Sequence, residues 1–156
     1  MKKLFILVLA LLALTPVANA EIVAEQVVEQ EIVKKALDGS IKLERVAAVK
    51  VALGNEVIYS SRFQNKGAEP ADEIVMVMPV PKEVNYVEGS ATDISANVTF
   101  SADGGKTYLN RGRLTVKEEG VERAATSGEI SHIKWVMVNP LGVNERGVVA
   151  YRGVVK

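Results

Sequence analysis

The chain reads as an all-β domain of about seven to nine short antiparallel strands, closed as a sandwich or a barrel, behind a cleaved N-terminal signal peptide. Three observations lead there. From Glu21 onward apolar residues recur with period two far more often than 3.6. β-Branched Val and Ile are abundant in those stretches, as suits half-buried pleated surface. Gly, Pro and Asn punctuate the pattern at short, regular intervals.

The first residues have a different character. Lys2-Lys3, an apolar stretch over residues 4–14 and Ala18-Asn19-Ala20 follow one another as the three parts of a secretory signal. The apolar run stops at Thr15-Pro16, short of the ~20 residues a spanning helix needs, so cleavage before Glu21 is the expectation rather than a membrane anchor. With no cysteine there is no lipobox to acylate. No second apolar span follows, and a periplasmic or secreted protein is expected. Removing 20 of 156 residues leaves 136, enough for one domain to bury roughly two thirds of the surface its unfolded chain exposes. The signal takes two of 19 basic residues and none of 19 acidic ones, so the mature balance is 17 minus 19, or minus two. Nucleic acid and anionic lipid call for clustered Lys and Arg, and here the bases are scattered among acids.

Along the mature chain, residues 22–36 also satisfy a helical wheel through Val23, Val27, Val28, Ile32 and Val33. A strand is favoured because Leu37-Asp38-Gly39-Ser40 offers a hairpin turn into the alternating Ile41-Lys42-Leu43-Glu44-Arg45. In the next strand Val57, Tyr59 and Phe63 share one face, and Glu56, Arg62 and Gln64 share the other. The apolar run Ile74-Val75-Met76-Val77-Met78 suggests a strand covered on both sides, ended by Pro79 and Pro81. An irregular middle from Tyr86 leads to Val98-Thr99-Phe100, the turn Ala102-Asp103-Gly104-Gly105 and a return strand around Thr107-Tyr108. Leu114 and Val116 mark another short strand, and the polar residues 118–128 read as an exposed loop. Ile133, Trp135 and Met137 alternate with His132 and Lys134, and a final strand carries Val149 and Tyr151.

Several of these segments together resemble a known family. Gly54-Asn55-Glu56-Val57-Ile58-Tyr59, Phe63-Gln64-Asn65-Lys66-Gly67-Ala68-Glu69-Pro70-Ala71, Val77-Met78-Pro79-Val80-Pro81 and Tyr86-Val87-Glu88-Gly89-Ser90-Ala91 come in the order seen in the bacterial conserved repeat domain. That family is also called domain-of-unknown-function family eleven. Phe100-Ser101-Ala102-Asp103-Gly104-Gly105-Lys106-Thr107-Tyr108, His132-Ile133-Lys134-Trp135 and Asn139-Pro140-Leu141 continue the likeness, which spans about residues 45–155. Leu53-Gly54 and Val143-Asn144 stand where such domains usually place Pro-Gly, and the chain carries one copy with no internal repeat. The resemblance implies an immunoglobulin-like antiparallel sandwich on an exported protein. It implies no shared activity or active site. The division that follows is a signal peptide at 1–20, an N-terminal hairpin extension at 21–44 and the immunoglobulin-like domain at 45–156.

No group of residues stands out as catalytic, cofactor-binding or metal-binding. The hairpin from Ser101 to Tyr108 looks like the Asp-box of sialidase-type propellers, but it occurs once, and Asp103 accepting bonds from its own turn accounts for it. Gly105-Lys106-Thr107 resembles the end of a phosphate loop, yet Phe100 occupies the first glycine's place and no helix is expected to follow. His132 is the only histidine, so a Ser-His-Asp triad or a two-histidine metal site has little to draw on. Asp93, Asp103, Glu118, Glu119 and Glu122 lack the spacing of a calcium loop. The expectation is a non-enzymatic structural or protein-interaction module of the bacterial envelope with a protein partner. The alternative is a carbohydrate-binding or carbohydrate-active domain using loop carboxylates, though one Trp, four Tyr and three Phe offer little sugar platform. A third possibility is a subunit that completes its sheet with a neighbour's strand through residues 22–33.

Overall fold

The structure is a computed structural model that describes residues 20–92 and 95–156; the signal-like segment up to residue 19, and Asp93, lie outside the described residues. Ten strands follow in order: β1 (Ile22–Lys35), β2 (Ile41–Ala47), β3 (Glu56–Asn65), β4 (Val75–Pro79), β5 (Val84–Tyr86), β6 (Ala96–Ser101), β7 (Thr115–Glu118), β8 (Val121–Ala124), β9 (His132–Met137) and β10 (Arg146–Val155). They form an all-β sandwich. One layer has the order β2-β1-β3-β10-β5, the other β4-β9-β6, and β7-β8 is a separate hairpin. Every pairing is antiparallel.

Strand β3 is the spine of the larger layer, laddered to β1 on one side and β10 on the other. The face read as inward is so at Val57 and Phe63, both buried, and Tyr59 stacks on Tyr151 of β10 with ring centroids 5.0 Å apart, but Ile58 and Ser60 on the opposite face are buried as well. Directly across from Phe63 stands Gly147, where a Cβ would fall 2.3 Å from a carbon of the Phe63 ring. The ring therefore lies over bare backbone, an aromatic covering a strand glycine. Gly153 likewise makes room for Val84.

From the smaller layer, β9 turns Ile133 and Trp135 into the interior, both wholly buried, as the alternation with His132 and Lys134 requires. Around them pack Phe63, Met78, Tyr86, Phe100, Val149 and Tyr151. The polar tips of the aromatics are satisfied: Trp135 Nε1 donates to the Thr92 carbonyl at 2.8 Å, and the Tyr151 hydroxyl donates to the Pro79 carbonyl at 2.7 Å. Asn65, also wholly buried, ties the N-terminal end to two loops. Its Nδ2 donates to the carbonyls of Glu69 (2.6 Å) and Leu141 (3.0 Å), and its Oδ1 accepts from the N–H of Gly67 (2.9 Å) and Glu21 (3.4 Å).

The segment 22–36 is strand, settling the helical alternative, because its first half ladders along β3 from Ile22 to Glu29. That same pairing makes the expected N-terminal extension continuous with the sheet. The turn at its end is the expected one: Ala36 N–H donates to the Ser40 carbonyl (2.8 Å), Gly39 N–H to the Ala36 carbonyl (2.9 Å), and Gly39 takes φ +83°. This is the three-residue hairpin with a glycine bulge.

Three local expectations are corrected. β4 is an edge strand with Val75 and Val77 exposed, not one covered on both faces, because an unbroken apolar run carries no phase to say which face is inward. The return strand expected at Thr107-Tyr108 is reduced to a single bridge between Phe100 and Leu109. Residues 118–128 are not a loop, and although most are exposed, Ala125 is buried in the core; Glu119 and Gly120, both at positive φ (50° and 83°), turn β7 tightly into β8. Two successive positive φ angles make a type I′ turn, and a glutamate is an unusual occupant of its first corner.

Trp135→Ala should lower unfolding free energy by roughly 3–5 kcal/mol in urea titrations, as a cavity this deep cannot collapse. Gly147→Ala should cost roughly 1–3 kcal/mol by forcing the Phe63 ring from its seat. Gly112→Ala, with open space around it and no positive φ, should leave the midpoint unchanged in the same titration.

Candidate functional site

The turn after β6 consumes its own aspartate. Asp103 Oδ1 accepts from the N–H of Lys106 and of Thr107, each at 3.0 Å, and from the Ser101 hydroxyl at 2.7 Å. Its Oδ2 accepts from the Thr107 hydroxyl at 2.7 Å. With Gly104 and Gly105 both at positive φ, the loop wraps around the carboxylate. The Thr107 N–H and the Ser101 hydroxyl hold Asp103 far below the usual carboxylate range. An acid so bound has neither the proton nor the free lone pairs for acid-base work. Lys106 and Thr107 sit on this same loop, and the three-residue turn Arg111–Arg113 downstream is no helix that could receive a phosphate.

His132 is half-buried at the start of β9, with Nδ1 3.2 Å from the Ser131 hydroxyl. That hydroxyl gives its one proton to the Ser101 carbonyl (3.1 Å) and accepts from Gly104 N–H (3.0 Å). The Ser131 hydroxyl is thus held by backbone partners on both sides beside the ring. Next to it, Lys134 Nζ stands 4.2 Å from the centroid of the Tyr108 ring, a cation–π contact.

The acids of β7-β8 are separated by their own partners. Glu118 and Glu129 both bond Arg123, and Glu122 accepts from the Thr115 hydroxyl. Glu119 occupies the turn. Arg123 and the Thr126 N–H lower the Glu129 carboxyl from 4.5 to about 2. Among the described residues no three His, Asp or Glu converge as a metal site.

The outer face of the five-stranded layer is charged and ordered. Arg152 on β10 bonds both Glu31 of β1 and Glu56 of β3, and Arg45 of β2 bonds Glu31 from the other side. Arg62 bonds Glu29 at 3.3 Å. Beside them lies an open groove of about 670 Å³ lined by Val23, Glu29, Arg62, Arg146 and Val148 among others. It is mixed in charge, with Glu25 and Glu29 set among Arg45, Arg62, Lys66 and Arg146.

The feature that departs furthest from a self-contained fold is the β1-β2 hairpin. β3 ladders to β1 only as far as Glu29, and beyond it residues 30–35 pair with β2 alone. Val33 and Leu43, directly across from each other, are 68% and 69% exposed, Ile41 73%, and Leu37 at the turn is fully exposed. Sequence reasoning located this hairpin but not its apolar strip. Alternation in Ile41-Lys42-Leu43-Glu44-Arg45 implies a covered face, and nothing in the pattern of that strand says that the face is open.

Compared with family models, with curated proteins and with solved structures, the chain matches none.

The depressed carboxyls fix the sign of the acid response. Groups whose folded pKa lies below the unfolded one stabilise the fold above the unfolded value and lose that contribution as pH falls through the folded one. The thermal midpoint should therefore decline between pH 4.5 and about 2. Glu129→Gln should flatten the decline in that window while leaving the profile above it parallel to the parent, as followed by Trp135 fluorescence.

Proposed function

We propose that this chain is an exported, non-enzymatic structural or protein-interaction module of the bacterial envelope, a single-copy relative of the conserved repeat domain. The supports differ in kind. The N-terminal residues have the order of a secretory leader, and the motifs shared with the repeat domain run through the sandwich. Several of the residues weighed as acids are engaged locally: Asp103 in its loop, Glu118 with Arg123 and Glu122 with the Thr115 hydroxyl.

One observation carries the reading. The β1-β2 hairpin holds Val33, Leu37, Ile41 and Leu43 out in water, although the core closes without them. Four large apolar side chains on one ribbon are unused burial on the order of 1.5–3 kcal/mol for each side chain fully covered. A surface of that kind serves a protein partner in the same compartment.

A photo-reactive residue placed at Leu37 or Leu43 in living cells should give discrete protein adducts, and the same residue at Lys117 should give none. Absence of adducts from the hairpin would count against the module. So would turnover of an envelope polysaccharide abolished by a single Asp or Glu change, whereas saturable glycan binding without turnover would be compatible with it.

A further inference from the structure

The two edges of the five-stranded layer are treated differently. On the far side, beyond the short β5, residues 87–92 run beside β10 and close its edge. Val87 N–H donates to the Arg152 carbonyl, Thr92 N–H to the Ala150 carbonyl, and the hydroxyls of Ser90 and Thr92 accept from the N–H of Arg152 and Ala150 at 2.9 and 3.0 Å. Hydroxyls there take the place of a neighbouring strand. On the near side β2 is the last strand, and among the described residues no strand pairs with its outer edge.

The backbone phase of that open edge follows from the hairpin. Ala36 bonds Ser40 and Ala48 N–H bonds the Val28 carbonyl, so Ser40, Lys42, Glu44, Val46 and Ala48 aim their backbone groups at β1. Ile41, Leu43 and Arg45 therefore aim theirs outward. An unprotected edge of this kind is a template for another strand.

We infer that β2 pairs antiparallel with β2 of a second copy about a two-fold axis at Leu43, merging the two five-stranded layers into one continuous sheet. This rests on the reading of the chain as an interaction module and names its partner. In that register Leu43 faces Leu43 of the second copy and Ile41 faces its Arg45, giving about six N–H···O bonds across the axis. Lys42 then faces Glu44 of the second copy, and Glu44 faces its Lys42. Sliding the copies one step either way sets Lys42 on Lys42 or Glu44 on Glu44, so charge selects the register.

Two features of the single chain fit this occupant. Lys42 stands directly across from Lys34, a like-charge pair that a hairpin ordinarily avoids. Lys34 is answered by Glu44 at 2.8 Å, while Lys42 meets no carboxylate among the described residues. The second copy's Glu44 supplies the missing charge. On the other face, Val33 and Leu43 would continue into Leu43 and Val33 of the second copy as one apolar row across four strands. The aliphatic stem of each Arg45 would cover the Ile41 opposite. An isologous contact of this kind closes as a dimer and propagates no further, because both β2 edges are consumed.

The test is analytical ultracentrifugation of the full chain, expressed with its own N-terminal segment, from micromolar to sub-millimolar concentration. A reversible monomer–dimer equilibrium is expected. Leu43→Pro removes an outward N–H while leaving the bonds to β1 intact, so it should abolish the dimer with the circular dichroism spectrum and Trp135 fluorescence unchanged. Lys42→Glu and Glu44→Lys should each abolish it alone, and mixing the two variants should restore it as a heterodimer. Monomeric wild type at every concentration, a dimer that survives Leu43→Pro, or charge variants that associate as well as wild type would each overturn the inference. A monomer whose hairpin still gives adducts with another protein would sink the second-copy inference alone and leave the module reading standing.

Discussion

The two layers are held in one arrangement by aromatic side chains whose polar ends reach the opposite layer or its edge. Tyr151 starts on β10 of the larger sheet and donates to Pro79 on β4 of the smaller. Trp135 starts on β9 of the smaller sheet and donates to Thr92, which itself exchanges bonds with Ala150 of β10. Burial alone would let two sheets slide, since the hydrophobic effect has no direction. Buried donors that each find one acceptor remove that freedom, because shifting the sheets would leave them unpaired at a cost of about 1–3 kcal/mol apiece. Burial and the neighbouring Tyr59 push the Tyr151 phenol well above its ordinary pKa, so it stays a donor throughout the physiological range.

Given that alignment, the remaining surface divides by what the core leaves over. The inner faces of β3, β9 and β10 are spent on Phe63, Ile133, Trp135, Val149 and Tyr151. The outer face of β3 is covered by long charged side chains, with Arg152 bridging Glu31 and Glu56 over the buried Ile58. Exposed ion pairs of this sort add little individually, but strung across neighbouring strands they define where each strand sits along the next. The hairpin shares only the second of these: it has the ion pairs Lys34–Glu44 and Arg45–Glu31, but among the described residues no second layer lies beneath it.

The fold was legible wherever the sequence carried phase. Ile133-Lys134-Trp135 alternates and buries the face it announces, and Val57 and Phe63 are buried as their side of β3 implies, although Ile58 and Ser60 on its other side are buried too. The turn Leu37-Asp38-Gly39 declared itself through a glycine that must take positive φ. Legibility failed where phase or residue type was silent. Ile74-Val75-Met76-Val77-Met78 is apolar throughout and cannot say that Val75 and Val77 face outward. Glu119 in a type I′ turn goes against its own preference, so the β7-β8 hairpin looked like a loop. As for sites, Asp103 was rightly expected to serve its own turn. The exposed strip was hidden because an apolar face is read as a buried one unless the partner surface can be counted, and that count needs coordinates.

Asn65 has a geometric consequence. By gripping the N–H of Glu21 it anchors the start of β1 to the loops around Glu69 and Leu141. Strand β1 then runs for 14 residues before the turn at Leu37, about 45 Å at the usual rise per residue. Glu21 is thus fixed at one end of the strand, and the exposed apolar tip of the ribbon at Leu37 is carried to the other. The long strand acts as a boom, holding Glu21 and the exposed turn at Leu37 far apart.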